Sequence, residues 1–140
     1  CGSGERSCRS TVSSGSSPDQ PREPMTARQR LLALRCRPLD AASAIGANDL
    51  ATQLHELPGW NAEGGAIVRT YAFANYFETI AFVNALAYMV HREDHHPDLV
   101  VGYNRCTVRF STHSAGGITQ NDLICAAKAD AIFEQNYRPE

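Results

Sequence analysis

The sequence predicts an α+β domain of two layers, a four-stranded antiparallel sheet with helices on one face, in the order α-β-β-α-β-β-α. Three observations predict it. A pair of β-prone runs flanks Glu63-Gly64-Gly65, a second pair flanks Asn104, and amphipathic helical segments lie before, between and after the two pairs. Hairpins joined through helices leave antiparallel pairing as the natural way to build one sheet.

Asn48 is placed to cap a first helix carrying Leu50, Leu54 and Leu57 at helical spacing, and Pro58-Gly59 ends it. Trp60 then opens the partner strand of a hairpin whose turn is Glu63-Gly64-Gly65 and whose second strand is Ala66 to Phe73. Asn75 to Arg92 holds no Gly or Pro and is apolar at Tyr76, Ile80, Val83, Ala87 and Val90, with Phe82, Leu86 and Met89 widening the stripe. This is the central helix. Pro97 disfavours helical geometry at His96, so the helix ends at or before Asp94 or His95. Leu99 to Tyr103 and Arg105 to Thr112 read as the second hairpin, turning near Asn104, with Cys106, Val108 and Phe110 inward and Arg105, Thr107 and Arg109 outward. Gly116-Gly117 breaks the chain. Thr119-Gln120-Asn121-Asp122 resembles a capping box, and a closing helix runs to about Asn136 with Cys125, Ala129, Ile132 and Phe133 on its apolar side.

The 140 residues suffice for one domain, expected over 45–140. Residues 1–44 read as an N-terminal arm: 1–24 are Ser-, Gly- and Pro-rich and are expected to be disordered, while 26–44, with a helix-prone run from Arg28 to Leu34, are expected to attach loosely. Thirteen Lys and Arg against fifteen Asp and Glu give a charge of −2, which disfavours direct nucleic-acid binding. Asn84, His91, Arg92, Glu93 and Asp94 interrupt the most apolar stretch before it reaches the roughly 18 residues a bilayer span needs. Five widely spaced cysteines without a C-x-x-C pair, and no basic segment followed by an apolar one at the N-terminus, make cytoplasm the expected compartment.

The chemistry concentrates in histidines. His95 and His96 are adjacent, Pro97 holds them extended, and their rings must point to different sides, so at least one faces solvent or a cleft. His113 follows the fourth strand, and the intervening hairpin returns it to the same end of the sheet. Imidazoles exchange protons near neutrality, which makes this trio a candidate acid–base site. A zinc site is the competing reading, with His91 and His95 one helical turn apart and His113 as third ligand, but no further ligand is clearly placed and H-E-x-x-H is absent. Trp60 and Tyr103 are readable as core or as ligand-stacking aromatics. Glu93 and Asp94 suit a supporting role in orienting an imidazole.

Glu93-Asp94-His95-His96-Pro97-Asp98, then Tyr103-Asn104, Val108, Ser111-Thr112-His113, Gly117-Ile118-Thr119 and Asp122 together resemble the pterin-4a-carbinolamine dehydratase family, over about residues 48–135. Gly59-Trp60 matches the family's early Trp, and the arm with Cys36 and Pro38 is similar to the extension of bacterial members. The resemblance implies a dimeric or tetrameric α+β protein that dehydrates 4a-hydroxytetrahydrobiopterin to quinonoid dihydropterin, in tetrahydrobiopterin recycling linked to an aromatic amino acid hydroxylase, without metal or organic cofactor. It implies His95, His96 and His113 as catalytic residues, and His96, Asp94, Trp60 and Thr112 as substrate-binding ones. His91 is a departure, because many relatives carry a carboxylate there. The same resemblance admits a non-catalytic dimerisation or assembly module, since one fold serves more than one function.

Overall fold

A computed structural model describes residues 23–136 of the chain, so the disorder expected over 1–24 falls almost wholly outside the described residues. The four strands are β1 (Asn61–Glu63), β2 (Ala66–Ala72), β3 (Asp98–Val101) and β4 (Arg105–Phe110). They form one antiparallel sheet in the order β1-β2-β4-β3. The helices are α1 (Ala27–Ala33), α2 (Ala47–Leu54), α3 (Tyr76–Glu93) and α4 (Gln120–Asn136). The expected α+β order is present, with one extra helix, α1, at the helix-prone run of the arm.

The first hairpin turns in two residues, Gly64 and Gly65, both with positive φ, as the tight turn that matches strand twist requires. Ile67 and Tyr71 on β2 and Cys106, Val108 and Phe110 on β4 point to the helical layer and are almost fully buried. They meet Phe82 and Leu86 of α3 and Leu123 of α4, and each such side chain contributes at most about 1.5–3 kcal/mol of burial. The alternation read in Arg105 to Phe110 therefore holds in the structure.

Several boundaries move. Gly46, not Asn48, caps α2, without a side-chain bond, and the helix ends at Leu54, leaving Leu57 buried in the following turn. β1 starts one residue after Trp60 and is only three residues long. β3 covers Asp98–Val101 rather than 99–103, because Gly102 to Asn104 make the turn, where the Tyr103 and Asn104 carbonyls accept from Thr79 Oγ1 and the Phe73 N–H. α4 is buried on nearly every side from Asn121 to Asp130, since the sheet, α3 and α1 all pack on it. A single apolar face was the simpler expectation.

Residues 27–39, read from composition as an arm, contact the domain at definite points. Leu31 enters the core, Arg28 pairs with Glu134 at 2.7 Å, and the Cys36 N–H donates to Glu93 Oε2 at 2.8 Å. Arg37 and Asn121 exchange two bonds, at 3.2 and 2.6 Å, and Ser114 Oγ donates to the Leu39 carbonyl at 2.7 Å.

Candidate acid–base site

The site begins with how α3 ends. Asp94 adopts φ 52°, ψ 41°, its N–H donating to the His91 carbonyl and the following His95 N–H to the Val90 carbonyl. These two bonds are the left-handed stop that helices commonly use, here with Asp where Gly is usual. The reversal and then Pro97 send the chain into β3 and leave His95 and His96 at the strand's entrance. Register does the rest: Asp98 faces Arg109, so the residues preceding β3 lie beside those following β4. The structure thus brings together the two stretches that carry the three histidines.

His95 is the inner member. Its side chain is 11% exposed, its ring lies parallel to Phe110 with centroids 6.0 Å apart, and its Nε2 is 2.5 Å from Asp122 Oδ1. Asp122 is fully buried at the start of α4, and its Oδ2 accepts from the Thr119 N–H and from Thr112 Oγ1, both at 2.9 Å. With two donors already on the carboxylate, the third contact is best met by Nε2–H, which fixes the tautomer and leaves Nδ1 as the nitrogen not held by Asp122. His96 and His113 are exposed, with ring centroids 6.3 Å apart and planes 31° from parallel. His113 starts a short 3₁₀ turn that Gly116 closes with φ 68°.

Two cavities meet at this point. One, of about 210 Å³, is lined by Asp94, His95, Thr112, Ser114, Asn121 and residues 36–39 of the arm. The other, of about 300 Å³, is lined by Val90, His91, Asp94, His95 and His96. Both share Asp94 and His95, the second alone reaches the lower end of what small-molecule pockets occupy, and His113 lines neither. A larger cavity of about 750 Å³ lies between α1, α3 and α4, but none of the three histidines lines it.

Not every residue expected at the site reaches it. Trp60 is buried in the core, separated from His95 by Phe110, and its Nε1–H donates to both oxygens of Asp130 at 3.1 Å. Thr112 is buried, and its hydroxyl is taken up by Asp122 and Thr119, so it acts on His95 through the carboxylate. Glu93 also turns inward: burial alone raises its pKa, but the hydrogen bonds from Lys128 Nζ at 2.5 Å and the Cys36 N–H win, holding it below the usual carboxylate range. Asp94 stays exposed at the cavity mouth. Among the described residues, no three His, Cys, Asp or Glu side chains cluster as metal ligands.

The residue whose role the sequence reading missed is Asp122. Its sequence signals were the fourth position of the expected capping box and a place in the family resemblance, and neither assigned it a role at the site. The box is half built: Asp122 accepts from the Thr119 N–H, but the Thr119 hydroxyl turns instead to Thr112 Oγ1 at 2.7 Å. That diversion lets one carboxylate cap α4 and hold His95 together.

Comparison with known proteins bears on the family and the fold. The sequence model of a family described as pterin 4 alpha carbinolamine dehydratase matches residues 43–132. A Chromobacterium violaceum protein provisionally named a pterin-4-alpha-carbinolamine dehydratase is 52% identical over 105 residues, covering 75% of this chain and 97% of the relative. A Bdellovibrio bacteriovorus protein with the same provisional name is 46% identical over 119 residues, covering 82% and 98%. The crystal structure of a transcriptional coactivator/pterin dehydratase from Brucella melitensis superposes with a TM-score of 0.61 at 32% identity, covering 64% of this chain and 97% of that one.

Proposed function

The chain belongs to the pterin 4 alpha carbinolamine dehydratase family, and from that premise we propose that it is a hydro-lyase removing water from a 4a-hydroxytetrahydropterin to give the quinonoid dihydropterin. The observation that carries the reading is the His95–Asp122 pair, set beside the facing rings of His96 and His113. In the reaction the C4a–O bond breaks with its electron pair, the oxygen takes a proton and leaves as water, and N5 loses its proton while its lone pair forms the C4a=N5 bond. One group must donate and another must accept. His95 and His113 take these roles in exchange, each worth about 10² to 10⁴ in rate, and His96 with Asp94 binds and orients the ring system. Asp122 keeps the His95 ring in one orientation and one tautomer, so its free nitrogen is ready without reorganisation.

The proposal extends to tetrahydrobiopterin as the pterin recycled, in support of an aromatic amino acid hydroxylase, and to a homodimer or homotetramer. Assembly is supported by side chains left in water: Phe77 is 82% exposed and Tyr88 67% on α3, and Val100 is 71% exposed on the edge strand β3. These exposed groups also favour a second reading, a dimerisation or assembly module without catalysis.

Stopped-flow absorbance of enzymatically generated carbinolamine separates the two. The wild-type chain is expected to accelerate dehydration and the His95→Ala/His113→Ala double variant to lose that acceleration. A folded double variant with wild-type rates overturns the assignment, and a folded wild-type chain without acceleration favours the module.

A further inference from the structure

Cys36 and Cys125 lie 89 residues apart in sequence, yet their sulfurs are 3.5 Å apart. Cys36 sits in the non-helical stretch after α1, and its thiol also reaches the Asn121 carbonyl at 3.6 Å; Cys125 is buried on α4, one helical turn beyond Asn121. The two differ in access: Cys36 is half-buried and lines the 210 Å³ cavity beside His95, whereas Cys125 is sealed behind it. We infer that Cys36 and Cys125 form a reversible disulfide on exposure to a small peroxide, making this pair a redox modification site that ties the arm covalently to α4.

The atoms balance in two steps. The Cys36 thiol gives up its proton, the thiolate attacks one oxygen of hydrogen peroxide, the O–O bond breaks, and the leaving hydroxide takes up that proton as water while Cys36 becomes a sulfenic acid. The Cys125 sulfur then attacks the Cys36 sulfur, the S–O bond breaks, and the hydroxyl leaves as a second water carrying the Cys125 proton. Two thiols are oxidised and one peroxide is reduced. A starting separation of 3.5 Å is within the range of a near-attack geometry, and closing to a bond of about 2.05 Å moves the sulfur on the arm, where no helix resists. The Cys36 hydrogen bond and burial both raise the Cys125 pKa, so Cys125 waits as a thiol until Cys36 is oxidised. Cys106 serves as an internal contrast: it is buried in β4, burial pushes its pKa up to about 11, and it has no cysteine partner among the described residues.

The arm is already hydrogen-bonded where the link would form, through the Cys36 N–H to Glu93 and the Arg37–Asn121 pair, so the disulfide fixes a contact the fold makes anyway. It also fixes residues 36–39, one wall of the cavity, against the helix that carries Asp122. The inference does not rest on the dehydratase reading, since its readout is covalent.

The 140-residue chain is treated with one to a few equivalents of hydrogen peroxide, alkylated and digested with trypsin without reduction. The expected product joins peptide 36–69, whose one cysteine is Cys36, to peptide 110–128, whose one cysteine is Cys125, and a reductant separates them. Oxidation should raise Tm by roughly 5 to 15 °C, an increase absent from Cys36→Ser. In Cys125→Ala, Cys36 should stall as a sulfenic acid that dimedone traps. Recovery of both thiols alkylated after peroxide, or Cys36 joined to Cys1, Cys8 or a second copy, overturns the inference. So does dimedone-trapped Cys36 beside an alkylated Cys125 in the wild-type chain.

Discussion

Replacing Asp122 with Asn tests the site at its most buried point. The carboxylate accepts three bonds, two on Oδ2 and one on Oδ1, and Asn offers one acceptor oxygen and one NH₂. If the oxygen keeps the Thr119 N–H and the Thr112 hydroxyl, the NH₂ faces His95 Nε2, which must then become an acceptor. The proton moves to Nδ1, the nitrogen that the proposed chemistry needs free. One charge-assisted bond, worth about 1.5–3 kcal/mol, becomes a neutral one of about 0.5–1.5, so Asp122→Asn should cost only about 1–2 kcal/mol in stability. The rate should fall far more, by about 10² to 10⁴, because geometry survives while the tautomer is wrong. Asp122→Ala, by contrast, leaves the buried Thr119 N–H without its acceptor and should cost about 3–5 kcal/mol. Urea unfolding, single-turnover dehydration and the ¹⁵N shifts of the His95 ring measure the three quantities. A folded Asn variant with kcat within threefold of wild type and unchanged ring shifts refutes the reasoning.

Asp94 occupies the left-handed region, so Asp94→Gly should hold or raise stability by up to about 1 kcal/mol in urea unfolding while Asp94→Ala lowers it by about the same; a raised KM in both would mark the carboxylate as a substrate contact. Trp60→Phe removes the indole donor from Asp130 and should cost about 1–2 kcal/mol without changing kcat; a fall in kcat with stability intact would return Trp60 to the site. Glu93 has a folded-state pKa below its unfolded value, so the stability it contributes is present above about pH 4.5 and is lost as pH falls through the folded pKa. Unfolding free energies measured from pH 7 to 3 should therefore fall less steeply for Glu93→Gln than for wild type.

Much of this arrangement is legible in the residues, and the illegible part has a physical cause. The strand alternation of Arg105 to Phe110 and the Gly64-Gly65 turn are local patterns, and both survive in the structure. His95-His96-Pro97 and His113 can be paired from sequence because a hairpin must bring its two ends together. Periodicity fails on α4, where burial on nearly all sides erases the contrast between faces that an amphipathic reading needs. It fails on Trp60 too, since an aromatic with one polar atom looks the same whether that atom meets a substrate or the buried Asp130. The burial of the two carboxylates of α4, Asp122 and Asp130, is not legible for a related reason: a pattern reading sends charge to the surface, and donors mostly distant in sequence explain why they are inside.

Asp122 shows why such a group is kept despite its cost. A buried carboxylate without donors would be expelled or protonated, so the fold must supply its partners before the site can work. They come from three places: the start of α4 through the Thr119 N–H, the segment after β4 through Thr112, and the end of α3 through His95. Loosening any one of these leaves the other two with an imperfectly satisfied charge, so the three elements are coupled through a single side chain. It follows that Thr112→Val, which keeps the shape and removes a hydroxyl already engaged by Asp122 and Thr119, should lower kcat with little change in KM, in proportion to how far it frees the His95 ring. If Thr112→Val instead raises KM alone, the hydroxyl contacts substrate directly and the coupling argument through Asp122 is wrong.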